Sequence, residues 1–378
     1  MHAQTRSIFF PLYLSMGVLG LSLGLTLPLL SLSMKAVGAS ASVVGTSTML
    51  QSMAAFIASM ASPVLIFALG NKRVLAGSLL LCGVTIGLYT TASDVPSFYI
   101  LRTFNGLALG LIFVATEATL IAESPPDKRS RIMGIYMMSV AAGSAAGPMI
   151  GFPLYEVGPH LPYIVAALIC AMSLAAVLFL VPAVSVPKRP EGVPFPIVRI
   201  IVPLGSSFLY GFILEGILSL IALYLKEVGL RSLEMGIIVT GFDLGGMVLL
   251  YPLMKLADGF GKMRFMAVAS LVCGVFFFVV PSFPAFAMLA LLTFVGGGVV
   301  NTLYPVGMAI VGDELSEPHY PRAMALLGAA FYGGGMLGPL CLSQAMDRLG
   351  YDFLFYGVGA MTLLFAMLPL SQALRGRR

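Results

Sequence analysis

Long apolar runs separated by short polar loops set the pattern of this chain. A helix that crosses a bilayer needs about 20 predominantly apolar residues, and twelve runs lie near or above that length. Most loops hold only a turn, so consecutive helices are expected to be antiparallel. We predict an all-α membrane protein with twelve transmembrane helices, at 7–33, 41–69, 72–92, 96–122, 131–156, 160–182, 197–225, 232–255, 263–281, 284–312, 320–346 and 352–374.

The first run is predicted to be a transmembrane helix and not a signal peptide. Arg6 precedes it, as a basic residue precedes a signal sequence. The run continues for about 26 residues, however, whereas the apolar core of a signal peptide has about 7–15. It also lacks a clear cleavage site of small residues.

Composition agrees with a chain dissolved in lipid. Hydrophobic residues make up 59% and charged residues 10% of the sequence, and the mean hydropathy is +0.99. Soluble domains carry roughly 25% charged residues. The net charge of +5 does not indicate nucleic-acid binding, because the distribution of basic residues along the loops explains it.

The basic residues predict the orientation. With a cytoplasmic N-terminus and twelve spans, four of the 21 Lys and Arg residues lie outside (Lys35, Lys226, Arg231 and Arg348), and Arg102 lies within a span. Cytoplasmic loops carry the excess of Lys and Arg in membrane proteins. We therefore predict an integral protein of the prokaryotic cytoplasmic (inner) membrane with both termini in the cytoplasm. The sixteen residues placed inside are Arg6, Lys72, Arg73, Lys128, Arg129, Arg131, Lys188, Arg189, Arg199, Lys255, Lys262, Arg264, Arg322, Arg375, Arg377 and Arg378.

Residues 35–156 and 226–347 repeat one pattern at a constant offset of 191. Two copies of a bundle of membrane helices are the plan of secondary transporters whose halves rock against each other. We predict two pseudo-symmetric six-helix bundles, 1–182 and 197–378, joined by a proline-rich cytoplasmic linker at 183–196. The matched pairs include Gly45 and Gly236, Gly70 and Gly261, Arg73 and Arg264, Cys82 and Cys273, Arg131 and Arg322, Gly143 and Gly334, Gly147 and Gly338, Pro148 and Pro339, and Glu156 and Asp347.

Four motifs together resemble the major facilitator superfamily. The loop after span eight, Ala257 to Arg264, is similar to the family's Gly-x-x-x-Asp-Arg-x-Gly-Arg-Arg loop and keeps the acid at Asp258, whereas the loop after span two has Phe67 in its place. Arg102 to Gly106 resembles the Arg-x-x-x-Gly motif of span four, and Gly143 to Gly151 the span-five motif of antiporters. The resemblance covers the whole chain and implies the fold and transport.

A narrower likeness concerns the YcaD-like branch of that family. It depends on Arg102 through Glu117 to Met138, and on Thr302 to Ala309 in span ten. The branch implies no substrate.

Two Gly-x-x-x-Gly pairs lie in spans five and eleven. Small residues one turn apart let helix backbones approach closely in lipid, and a following proline weakens the helix. A tight crossing and a bending point for alternating access are both consistent with the pattern. We predict gating roles for Gly143, Gly147, Pro148, Gly338 and Pro339, and for the charged loop residues Asp258, Arg264, Arg73 and Arg131.

Three acids inside spans break the repeat. Glu215 matches Gly24, Asp243 matches Ser52, and Glu117 matches Met308. An ionisable group at membrane depth costs about 2.5–3.5 kcal/mol on insertion scales and therefore indicates a functional site. Glu215 and Asp243 are predicted to carry the coupling proton; a structural hydrogen bond to a neighbouring helix is the alternative for each.

Glu117 and Arg102 lie in the same span. Glu117 is predicted to contact substrate or to pair with Arg131 or Arg73 at an inner gate. Arg102 keeps its charge and is predicted to line the substrate cavity, or to form a structural pair. Further candidate substrate contacts are Gln51, Tyr136, Tyr210, Asn301 and Tyr304, the last two on one face of span ten; Asn105 and Tyr332 have weaker claims.

No motif predicts an enzyme, a cofactor or a metal. The sequence lacks His-Glu-x-x-His, a Gly-x-Ser-x-Gly elbow and a phosphate loop, and its four cysteines, Cys82, Cys170, Cys273 and Cys341, are expected to be small buried hydrophobic residues.

The function predicted is alternating-access transport, with proton-coupled export of a small amphipathic or cationic molecule. A proton symporter that imports an organic acid or sugar, with Arg102 on the anion, is a second possibility, and a channel or intramembrane enzyme a third. The expected partners are the substrate and the lipid bilayer, without nucleic acid, and the expected state is a monomer.

Overall fold

The structure is a computed structural model that describes residues 2–125, 128–182, 196–315 and 319–375. The described residues form thirteen α-helices and no β-strand. The helices are α1 His2–Ala36, α2 Ala41–Leu69, α3 Asn71–Leu88, α4 Val95–Glu123, α5 Arg129–Val157, α6 Leu161–Leu180, α7 Ile201–Glu227, α8 Ser232–Phe260, α9 Lys262–Val279, α10 Phe286–Val300, α11 Leu303–Glu314, α12 Tyr320–Leu349 and α13 Phe353–Arg375.

Twelve helical segments of the described chain are long and apolar enough to cross a bilayer, with α10 and α11 counted together as one. Large apolar side chains point outward from them: Phe179 is 84% exposed, Val157 80% and Phe67 75%. Exposed apolar surface of this extent is typical of protein that faces lipid. The predicted all-α membrane fold with twelve spans is confirmed.

Helix boundaries repeat at the offset found in the sequence. α2 covers 41–69 and α8 covers 232–260, and α3 covers 71–88 where α9 covers 262–279, so each bound differs by 191. The turn between these helices repeats as well. It needs a left-handed residue, supplied by Gly70 with φ 86° and by Gly261 with φ 93°.

The chain divides into two compact units. Unit 1 comprises Met1–Ala39 and Leu50–Pro190, and unit 2 comprises Ser40–Met49 and Glu191–Arg378. In unit 1, α1 packs on α5 and α6, and α3 on α4 and α6; in unit 2, α7 packs on α12 and α11, α8 on α10, and α9 on α13. The first turns of α2 thus pack with unit 2. The predicted linker, apart from Pro196, lies outside the described residues.

Close helix crossings lie at the Gly-x-x-x-Gly pairs. A Cβ at Gly143 would overlap the Gly17 carbonyl oxygen of α1, and one at Gly334 would overlap the Phe208 carbonyl oxygen of α7. Gly147 and Gly338 approach the same two helices equally closely. Backbones meet here because glycine lacks a side chain, so the tight-crossing interpretation is confirmed. Pro148 and Pro339 lie within the continuous helices α5 and α12, and the gating role of these residues stays a prediction.

Span ten is interrupted, contrary to the continuous helix predicted for 284–312. α10 ends at Val300 and α11 begins at Leu303, with Asn301 and Thr302 in a turn between them. Pro305 has no N–H to donate to the Asn301 carbonyl, and the three glycines 296–298 weaken the preceding turn. The counterpart α4 has neither feature and runs unbroken from Val95 to Glu123.

Candidate functional site

A polar and aromatic cluster in unit 2 brings together residues from α7, the break in span ten, and α11. The Tyr210 hydroxyl donates a hydrogen bond to the Asn301 Oδ1 over 3.0 Å. The Tyr210 ring lies 5.8 Å from the ring of Tyr304 and 5.8 Å from that of Phe331 on α12. Three of the predicted substrate contacts, Tyr210, Asn301 and Tyr304, are therefore neighbours. We call these residues, together with Glu215 and Asp243, the unit 2 cluster.

The helix break positions Asn301. Its backbone N–H donates to the Gly297 carbonyl at 3.0 Å, and its side-chain Nδ2 donates to the same carbonyl at 2.8 Å. Thr302 closes the turn with its N–H and its hydroxyl, both donating to Val299. Asn301 and Thr302 keep right-handed helical dihedral angles through the turn. Tyr210 contacts both Asn301 and Tyr304, which agrees with the predicted shared face.

Both predicted proton carriers lie near the same tyrosine. Glu215 and Asp243 are each close enough to Tyr210 to interact with it electrostatically. Asp243 lies one turn before Gly246 on α8, and a Cβ at Gly246 would lie 2.5 Å from the Asn301 Nδ2. Residues three apart share a helix face, so the face of α8 that carries Asp243 is turned towards Asn301. All five residues of the unit 2 cluster are half-buried.

A second polar group lies inside unit 1 and is closed to solvent. An Arg102 Nη1 donates to the Gln51 Oε1. Gln51 Nε2 donates to Asn105 Oδ1 at 2.9 Å, and Asn105 Nδ2 donates to Thr85 Oγ1 at 3.1 Å. Arg102 is 0% and Gln51 5% exposed. We call Gln51, Thr85, Arg102 and Asn105 the unit 1 network. The network contains two predicted substrate contacts, Gln51 and Arg102. They are hydrogen-bonded to each other inside the helix packing.

Glu117 and Tyr136 lie apart from both groups. Glu117 is half-buried, 15 residues along α4 from Arg102, which is about 22 Å at 1.5 Å per residue. Tyr136 is fully buried in α5. Arg131 and Arg73 are exposed. The pairing of Glu117 with either arginine stays a prediction.

The other charged gating candidates are also on the surface. Asp258 and Arg264 are both exposed, and across the described residues no ion pair joins them. A different pair occurs nearby: the Lys262 Nζ lies 2.7 Å from an Asp313 carboxylate oxygen. Sequence reasoning missed this pair because its members are 51 residues apart and on different helices. It is largely solvent-exposed and is worth at most about 1 kcal/mol.

Asp347 caps a helix distant in sequence. Its carboxylate accepts hydrogen bonds from the Ala41 N–H at 2.9 Å and the Ser42 N–H at 2.7 Å, in the first turn of α2. First-turn amides have no partner within their own helix. The only signal that the sequence offered for Asp347 was its pairing with Glu156 in the repeat. Glu156 itself is exposed, and within the described residues it forms no such bond.

Two cysteines are neighbours, which the sequence did not indicate. The thiols of Cys82 on α3 and Cys170 on α6 form a hydrogen bond with each other. These two and Cys273 are buried, as expected, but Cys341 is exposed. Cys341 stands on an outward face of α12, so its predicted burial is wrong.

Similarity to known proteins covers most of the chain. The family model of the Major Facilitator Superfamily matches residues 12–205 and, a second time, residues 203–375. The uncharacterised MFS-type transporter YfkF of Bacillus subtilis is 26% identical over 305 residues, 79% of this chain and 77% of its own length. The uncharacterised MFS-type transporter YcaD of Salmonella enteritidis is 22% identical over 312 residues, 80% of this chain and 79% of its own.

Some of the similar proteins have named activities. The multi-drug resistance efflux pump PmrA of Streptococcus pneumoniae is 23% identical over 322 residues, 81% of this chain and 80% of its own length. Among solved structures, a D323A mutant of the nucleoside transporter NupG has a TM-score of 0.78 at 13% identity and covers 96% of this chain and 99% of that one. The D-xylose-proton symporter has a TM-score of 0.78 at 13% identity and covers 96% and 97%. At these identities the two structures indicate a shared fold.

Proposed function

Because the chain belongs to the Major Facilitator Superfamily, we propose that it is a secondary active transporter that exports a small amphipathic or cationic molecule in exchange for protons. Family membership makes it an integral membrane transporter of a small molecule, and not an enzyme. The direction of transport, the coupling ion and the class of substrate are the proposal. Alternating access is the mechanism by which we expect the two units to work.

The observation that carries the proposal is the placement of two carboxyl groups near one tyrosine in unit 2. Glu215 and Asp243 are both close enough to Tyr210 to interact with it electrostatically, and Tyr210 is hydrogen-bonded to Asn301. Neither acid has an acidic counterpart in unit 1, where Gly24 and Ser52 occupy the matched positions. A repeat needs no such groups for its architecture, so transport chemistry accounts for them better than helix packing does. Each acid exchanges one proton during the cycle.

The aromatic rings around the acids support a cationic cargo. The ring centroid of Tyr210 lies 5.8 Å from that of Tyr304 and 5.8 Å from that of Phe331. The face of an aromatic ring attracts cations electrostatically, and a carboxylate supplies a full opposite charge. A flat organic cation would satisfy both, and protonation of the acids would weaken its binding. Competition between proton and cation for one site is the simplest basis for exchange.

Export is supported by the likeness to the efflux pump PmrA. The importing alternative depends on Arg102 as an anion contact, and Arg102 is fully buried within the unit 1 network. This structure therefore favours a cation exporter over an anion symporter. The distribution of Lys and Arg supports placement in the cytoplasmic membrane of a prokaryote with both termini inside.

Reconstituted transport tests the proposal. The purified protein would be placed in liposomes with an imposed pH gradient, and accumulation of ethidium, a flat organic cation, would be measured. We expect Glu215→Gln and Asp243→Asn each to abolish uphill transport and to retain exchange of ethidium down its own gradient. Glu156→Gln, which neutralises an exposed acid in α5, is the matched control and should transport as the wild type does.

Wild-type rates for both variants across the pH range would refute the assignment of proton coupling to these acids. Proton-driven uptake of a sugar or organic acid, without ethidium transport, would instead support the importing alternative.

A further inference from the structure

The thiols of Cys82 and Cys170 form a buried pair inside unit 1. They come from α3 and α6, which are 88 residues apart at this point, and each sulfur is hydrogen-bonded to the other. Both cysteines are free thiols, and both are 0% exposed. Two reduced sulfurs held side by side make a chelating arrangement in which both ligands are already in place.

Polar groups surround the two sulfurs. The Ser22 Oγ lies 3.3 Å from the Cys170 Sγ, and the Asn105 Nδ2 donates to the Cys82 Sγ at 3.6 Å. The Asn105 amide, as a donor, stabilises a Cys82 sulfur that carries negative charge. The helices come close because Gly83 has no side chain: a Cβ there would lie 3.2 Å from the Cys170 Cβ.

The repeat shows that the architecture does not require the pair. Cys82 corresponds to Cys273 in unit 2. The last helices of the two units, α6 and α13, begin 192 residues apart, so Cys170 corresponds to Thr362. The polar neighbours Ser22 and Asn105 correspond to Ile213 and Gly296. Unit 2 thus has the same helices with a single thiol at this place, and it provides an internal control.

We propose that Cys82 and Cys170 form a binding site for a soft, thiophilic centre that accepts two sulfur ligands, such as trivalent arsenic. Thiolates select soft metals and metalloids over hard cations. With an arylarsenic(III) oxide, two As–S bonds form, the As–O bonds break, and the two thiol protons leave with the oxygen as water. No oxidant or reductant is needed, and the arsenic remains trivalent.

Access to the site is expected through lipid. Neither cysteine is exposed to solvent, but other side chains of the same helices are exposed: Leu80 and Val84 on α3, and Leu168 and Met172 on α6. A neutral, apolar carrier such as phenylarsine oxide partitions into the bilayer beside these faces. It then needs only a side-chain fluctuation between α3 and α6 to reach the thiols.

Titration of the detergent-purified full chain with phenylarsine oxide tests the proposal. Intact-protein mass spectrometry should find one adduct per wild-type chain, and thermal stability should rise because the ligand binds the folded state. Dimercaptopropanol, a dithiol, should remove the adduct, whereas an equal concentration of a monothiol should not.

Variants locate the site independently of transport. Cys82→Ser and Cys170→Ser should each lose the adduct, with Cys82→Ala and Cys170→Ala as second replacements if a serine variant folds poorly. Cys273→Ser and Cys341→Ser should keep it. Absence of an adduct on the wild type, or retention of it without Cys170, would overturn the proposal. Because the readout is binding in unit 1, its failure is distinguishable from failure of the proposed transport through unit 2.

Discussion

The two units share one arrangement of helices, but unit 1 buries its polar side chains and unit 2 leaves them partly exposed. In unit 1 the buried network of Arg102, Gln51, Asn105 and Thr85 is sealed inside the helix packing. At the matched positions unit 2 is mostly apolar, and a Cβ at Gly296, where unit 1 has Asn105, would lie 2.8 Å from the Phe276 ring. The matched residues are Thr293, Phe242, Gly296 and Phe276.

The reverse holds for the unit 2 cluster. Its five members are half-buried, and their counterparts in unit 1 are Leu19, Gly24, Ser52, Gly110 and Phe113. The difference teaches that the repeat preserves helix lengths and backbone contacts and leaves side chains free to specialise. Unit 1 buries its polar network between helices, whereas the polar groups of the unit 2 cluster stay partly exposed.

The largest effect is expected at the tight helix crossing that both units share. Gly143→Ala and Gly334→Ala each place a Cβ onto a neighbouring backbone oxygen, so both should lower the free energy of unfolding by about 3 kcal/mol or more, the upper range for overpacking. Thermal denaturation in detergent measures the loss. Gly134→Ala, on the same α5 with no atom within 4 Å of the new Cβ, should lose nothing. A tolerated Gly143→Ala would contradict the tight crossing.

The next test breaks the sealed network of unit 1. Asn105→Leu removes the acceptor of Gln51 Nε2 and a donor to the Thr85 hydroxyl. Thr85 still donates within its own helix, but a buried group left unsatisfied, as Gln51 Nε2 would be, costs about 1–3 kcal/mol. We expect a loss of about 2 kcal/mol, measured by thermal denaturation. Thr103→Val is the control on α4, since the Thr103 hydroxyl donates only to Tyr99 of its own helix. Equal stability of the two variants would mean that the network contributes nothing specific.

A smaller effect is expected where Asp347 caps α2. Asp347→Ala removes both acceptors of the Ala41 and Ser42 amides, and loss of such a cap costs about 1 kcal/mol. Hydrogen exchange at these two amides should accelerate. Glu156→Ala is the repeat-matched control and should leave exchange in α8 unchanged. Unaltered exchange at Ala41 and Ser42 would show that the cap does not hold the helix start.

The smallest effect concerns the starts of α4 and α10. Asp94 caps α4 by accepting from the Ser97 N–H at 3.0 Å, whereas its counterpart Ala285 begins α10 without a side-chain cap. Hydrogen bonds from the Ser97 hydroxyl and backbone amide lower the pKa of Asp94. A lowered folded pKa means that the cap stabilises the helix above the ordinary carboxyl pKa and is lost as pH falls through the folded value.

Asp94→Ala should therefore speed exchange of the Ser97 amide at neutral pH, and the difference from wild type should shrink in acid. Ala285→Asp should slow exchange in the first turn of α10. A difference at Ser97 that is independent of pH would exclude the carboxylate as its cause.

Several features of the site were accessible from the sequence because the repeat acts as an internal comparison. Glu215 and Asp243 are found by asking which residues in spans break the offset of 191. The shared face of Asn301 and Tyr304 was accessible, but their grouping with Tyr210 was not. It depends on α7, which is about 90 residues earlier in the chain.

The amino-acid sequence alone determined the membrane fold, the number of spans and the existence of two copies, because the apolar length needed to cross lipid and the spacing of the repeat are local properties of the chain. Tertiary structure decided which polar residues are sealed and which are accessible. Arg102 and Asp243 look alike as charged groups within apolar runs, yet Arg102 is enclosed by Gln51 and its neighbours, and Asp243 is not. Burial is set by side chains from other helices, and no pattern within one helix records them.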